Sequence, residues 1–99
     1  MRSIKKFVEH IEEELEGAKE YAERYVECKA KGHAMNANKY KEMAADELRH
    51  ANILHEMAIA EIAEINKVFK PTVEMEEAWS KSHKIFVEQS AWIKTMLAM

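Results

Sequence analysis

Three residues in this chain have the types and the spacing for metal chemistry. Glu47 and His50 stand in the pattern Glu-x-x-His, and of the five histidines only His50 has a Glu three positions before it. On a helix, residues at i and i+3 project from neighbouring points of one face, so this carboxylate and imidazole can reach a single ion. Glu14 is the third. It interrupts a row that otherwise reads Ile4, Phe7, Ile11, Ala18, Tyr21, Tyr25 and Cys28, a 3-4 alternation that holds all eight residues on one helical face. Leaving an acid or an imidazole unpaired on a packing face costs several kcal/mol or shifts its ionisation, so the pattern calls for a compensating partner. A divalent cation is such a partner.

The elements that must position these residues are three helices. The first starts at Ser3, whose hydroxyl can cap it, and runs to about Ala30, where Lys31-Gly32-His33 breaks it and Gly32 supplies the stop. The second starts near Ala34 and ends in the high sixties. Its row is Tyr40, Met43, Glu47, His50, Leu54, Met57, Glu61, Ile65 and Val68. Pro71 closes that helix or opens the next, and Thr72 is placed to cap the third, about Val73 to Leu97. The third helix carries a main row of Glu76, Trp79, His83, Phe86, Ser90, Ile93 and Leu97. Ile85, Gln89, Trp92 and Met96 form a second row, so this helix should pack against more than one neighbour. The expectation is an all-α fold, a long antiparallel hairpin plus a third helix, in one domain spanning residues 1–99.

Mirroring the chain about Lys31-Gly32 puts Glu14 opposite a point between positions 47 and 50. Both helices rise about 1.5 Å per residue, so the two interruptions fall at one height. One chain then supplies half of a known ligand set, in which two helices give a Glu each and two more give a Glu-x-x-His each. A two-fold homodimer, or a higher even oligomer, would complete it from Glu14, Glu47, His50 and their symmetry mates. Four carboxylates would neutralise two divalent ions.

The residues around these positions resemble a family. Asp46-Glu47-Leu48-Arg49-His50-Ala51 is similar to the Asp-Glu-x-x-His-Ala run of ferritin-like proteins, notably bacterioferritins and rubrerythrins. Glu14-x-x-Gly17-x-x-x-Tyr21 resembles their first-helix Glu-x-x-Ala-x-x-x-Tyr, with Gly in place of Ala. Glu13-Glu14-Leu15-Glu16 also resembles the first helix of encapsulated ferritins, whose short chains build a di-iron site across a dimer. The likeness covers about Ile11 to Met57. It implies a ferritin-like four-helix bundle completed by dimerisation, two iron ions per dimer site, and ferroxidase chemistry with dioxygen or peroxide. Mn or Zn would suit the same ligands. The departures are a missing second Glu-x-x-His, a third helix without a counterpart, and no C-terminal targeting peptide of the encapsulated kind.

Other residues compete for roles. Glu16 is the rival ligand on the first helix, although it falls off the apolar row. Asp46 either orients the His50 imidazole or is a solvated acid. Tyr21 and Tyr25 read as core aromatics with a hydroxyl partner, and the resemblance offers Tyr21 a place beside the metals. Mirrored about Pro71, His50 lies level with about residue 91. His83 is thus eight residues, or about 12 Å, from the site and reads as a core or interface histidine. Ser90 is the nearest residue of the third row, and Glu88 is close in height but off it. His10, His33 and His55 fall off the rows and are expected to face solvent.

The bulk numbers fit this reading. The 99 residues are 47% hydrophobic and 33% charged, with two Gly, one Pro and a net charge of -3, a helical composition without the basic footprint of a nucleic-acid binder. The single Cys28 cannot staple the fold, and no stretch is apolar enough to anchor in a membrane. Cytoplasmic location is the expectation, with housing in a protein compartment implied by the encapsulated-ferritin likeness. A different class of function fits the same residues: a non-catalytic helical interaction or scaffold protein whose polar layer specifies pairing.

Overall fold

The computed structural model describes residues 2–99, with side chains from Ile4 onward. Its helices are α1 (Arg2–Ala30), α2 (Ala34–Asn66) and α3 (Val73–Leu97). Helix α1 begins at Arg2, so Ser3 lies within its first turn and not at the capping position expected of it. Helix α1 ends where expected. Gly32 sits at φ +75°, the left-handed conformation that glycine adopts without a Cβ penalty, and the His33 amide closes back onto the Cys28 carbonyl (2.9 Å). At the start of α3 the Thr72 hydroxyl accepts from the Met75 amide (3.2 Å), and Glu74 and Glu76 in the first turn complement the helix dipole.

Helices α1 and α2 pair along their length as an antiparallel hairpin, giving a rod of 55 × 17 × 17 Å. Helix α3 lies mainly against α1, where Ile85 and Gln89 share a groove with Leu15. The core runs through Ile11, Leu15, Ala18, Ala22, Ala44, Leu48, Ala51, Ala58, Phe86, Ile93 and Met96. Ile11 and Ile93 are fully buried, each stabilising the fold by roughly 1.5–3 kcal/mol relative to exposure.

The packed face of α2 differs from the expected one. Its buried residues are Ala37, Ala44, Leu48, Ala51, His55 and Ala58, whereas Met43, Met57 and Val68 of the expected row are exposed. Small side chains let α1 approach closely, so alanine carries the contact, and the row with the larger apolar residues is turned toward the open side of the hairpin. Glu47 and His50 sit on that open row. They are half-buried rather than buried.

Among the described residues no helix is long and apolar enough to cross a membrane.

Candidate metal centre

The hairpin brings Glu14 of α1 to the height of Glu47 and His50 of α2. One donor atom from each lies within 4.8 Å of the other two, and this is the one such group of three or more acidic, His or Cys side chains among the described residues. The His50 Nδ1 is 3.6 Å from Glu14 Oε2 and 4.0 Å from Glu47 Oε1. Exposure rises outward across the group: 18% of the Glu14 side chain, 30% of Glu47 and 44% of His50. The centre is therefore a recess open on one side, with its acid floor on α1.

Glu14 and Glu47 perturb each other in opposite directions. A hydrogen bond from the Glu47 carboxyl holds Glu14 below the usual carboxylate range, helped by the nearby His50 and His10 and opposed by partial burial. The same hydrogen bond to Glu14 pushes Glu47 above that range, reinforced by burial and by the Glu14 charge. Glu14 Oε2 is buried without a conventional hydrogen-bond donor. A buried carboxylate oxygen without a donor is costly, and a cation satisfies it directly.

Close approach of the helices has a local cause at Gly17. A Cβ there would lie 2.9 Å from Glu47 Oε2, so the Glu47 carboxyl rests over bare α1 backbone. An alanine would oblige it to swing away.

The remaining candidates separate by position. Glu16 is exposed and lines the groove with Leu15 and Ile85, on the α3 side and away from the cluster. Asp46 turns to Arg49 (3.8 Å), with both side chains exposed, so it is a solvated acid and does not hold the His50 ring. Tyr21 stacks on Tyr40 at 6.2 Å between ring centres. Tyr25 is buried, and its hydroxyl meets the Lys29 ammonium at 3.4 Å. Glu88 and His33 are exposed.

His55 is placed differently from the sequence expectation, and His83, expected in the core or an interface, is exposed. His55, expected in solvent, is buried to 8% exposure, and its ring lies parallel to Phe86 at 4.1 Å between centres. Its Nε2 is 2.9 Å from Nδ1 of His83, whose ring is the exposed outer member of the pair. The rings that cover His55 come from α3, and the available signal was its place on the 3-4 row of Ala44, Leu48, Ala51 and Ala58. His10 was also expected in solvent. Its side chain is 53% exposed, yet its Nε2 reaches Glu14 Oε1 at 3.3 Å. The i, i+4 spacing of His10 and Glu14 was the signal available for that contact.

Chemically, the cluster offers hard carboxylate oxygens and one imidazole, a set suited to Fe, Mn or Zn divalent ions. Three protein groups leave coordination positions to be filled from outside the chain. Comparison with protein-family models, with curated proteins and with solved structures finds no match to this chain.

Proposed function

We propose that the chain is half of a ferritin-like di-iron centre, binding Fe(II) as substrate between two copies and oxidising it with dioxygen or peroxide. The observation that carries this reading is the convergence of Glu14, Glu47 and His50 within 4.8 Å, with the buried Glu14 Oε2 lacking a donor. The recess opens toward a face carrying Met43 and Met57, both exposed apolar residues that a second copy would cover. A two-fold axis through that face would double the donors to four carboxylates and two imidazoles, the ligand count of the family.

In this reading each side chain has a definite task. Glu47 binds as the carboxylate, like Glu14, so four carboxylates offset the charge of two divalent ions. Glu14 presents Oε2 inward. His50 binds as the neutral imidazole through Nδ1, the nitrogen that faces both acids. The covering copy excludes water from the carboxylates. Each iron loses one electron. Two irons together reduce dioxygen to hydrogen peroxide, or peroxide to two waters, with uptake of two protons.

Thermal unfolding with and without Mn(II) or Fe(II) tests this reading against a purely structural polar layer. Ligand that binds the folded state alone adds about 2.7 kcal/mol at a hundredfold excess over Kd. A metal centre gives a metal-dependent rise in Tm that Glu47→Ala removes. A polar layer that only specifies pairing gives no metal response, and Glu47→Ala then changes the oligomeric state.

A further inference from the structure

The two oxygens of Glu14 have different surroundings. Oε2 points inward to His50 at 3.6 Å and has no conventional donor, whereas Oε1 points outward and is held by His10 Nε2 at 3.3 Å. His10 stands one turn before Glu14 on the same helix, and it is not a member of the tight donor cluster. The carboxyl thus has an imidazole of its own helix beside one oxygen and the imidazole of α2 beside the other.

From this geometry we infer that His10 is a positioning residue for the metal centre. It fixes the Glu14 carboxylate by Oε1 so that Oε2 is aimed into the recess before any cation arrives. The inference rests on the metal-site reading above. A terminal carboxylate torsion is broad and rotates readily, and 18% of the Glu14 side chain stays in contact with solvent. Without the outer contact the group would spend part of its time turned toward water. Groups that hold a ligating side chain in this way typically contribute ten- to a hundredfold in metal affinity. With His10 half in solvent, the effect belongs at the lower end, roughly tenfold.

The test is Co(II) titration of the purified full chain against a chromophoric chelator, with the visible Co(II) spectrum recorded. His10→Ala should weaken Co(II) binding about tenfold, with the stoichiometry and spectrum unchanged. His10→Gln, whose side-chain amide can donate to Oε1 from the same position, should recover most of that loss. Circular dichroism of both variants should match the parent, since His10 lies on the surface.

Equal affinity in parent and His10→Ala would overturn the positioning role while leaving the metal centre intact. A changed Co(II) spectrum without recovery in His10→Gln would also overturn it, because His10 would then be a ligand itself. If the parent chain binds no Co(II), the metal-site reading fails and the inference falls with it.

Discussion

Helix α2 carries two histidines five residues apart whose surroundings are opposite. His55 lies flat between the rings of Phe86, Trp79 and His83, nearly out of solvent, with its Nε2 matched to a single nitrogen. His50 lies about 140° around the helix axis from it, half in solvent, facing two carboxyl groups across 3.6 and 4.0 Å. The first is a polar group that the chain satisfies by itself, and its role is to tie α2 to α3. The second belongs to a cluster that the chain leaves incomplete, with a buried oxygen lacking a donor.

The contrast breaks most sharply in the stability of the metal-free protein. His55→Ala removes a buried, stacked ring and should cost roughly 2–3 kcal/mol in urea unfolding, in the lower range for large-to-small core changes. His50→Ala should change the same quantity by about 0.5 kcal/mol or less. Comparable losses at the two positions would erase the distinction.

Acid provides a second separation. Burial, then the neighbouring His83, holds His55 below the usual histidine range. The unfolded chain therefore takes up a proton before the folded one does, and stability is lost as pH falls below about 6.5 toward the lowered folded value. Urea midpoints of the metal-free protein between pH 8 and pH 5 should show this decline, and His55→Phe should reduce it. Metal binding should follow a different course. Glu47 is held above the usual carboxylate range by Glu14 and a cation binds its carboxylate form, so affinity should rise with pH through that raised range, with protons released there. Calorimetric titrations in buffers of different ionisation enthalpy count those protons.

A smaller effect is expected at Gly17. Alanine there gains helix propensity, up to about 1 kcal/mol, and the neighbour it displaces is the flexible end of Glu47. Gly17→Ala should stabilise the metal-free chain by about 0.5 kcal/mol after that adjustment. It should also lower the Glu47 pKa toward the ordinary range, read by NMR titration, because the carboxyl moves off Glu14. The smallest effect belongs to Asp46→Asn, which touches only the exposed pair with Arg49. Metal affinity should be unchanged in it.

Much of the fold was legible because its boundaries are set by local chemistry. Gly32 at positive φ and the Thr72 cap each act over a few residues and set the end of α1 and the start of α3 where expected, whereas α2 stops at Asn66, five residues before Pro71. The height match of Glu14 with Glu47 and His50 was also legible, since it follows from rise per residue and one short turn. The inner face of α2 was not. Ala37, Ala44, Ala51 and Ala58 form the contact with α1, and alanine carries little hydrophobic signal beside Met43, Leu54 and Met57 on the neighbouring row. That row was read as core because its side chains are larger. Its burial is incomplete within one chain. The burial of His55 was missed with that face, because His55 falls on the same 3-4 row as Ala44, Leu48, Ala51 and Ala58; its covering rings come from α3, 28 residues further along.

The central claim is that Glu14, Glu47 and His50 form half of a centre that two copies complete around iron. Anaerobic Fe(II) titration of the metal-free protein, followed by air and near-ultraviolet absorbance, tests it most directly. The account predicts saturation at about one iron per chain in a dimer or larger even assembly. Ferric absorbance should then appear on exposure to air and be lost in Glu47→Ala. A parent chain that binds no iron and develops no absorbance would contradict it, and the three residues would then be a polar layer serving helix pairing alone.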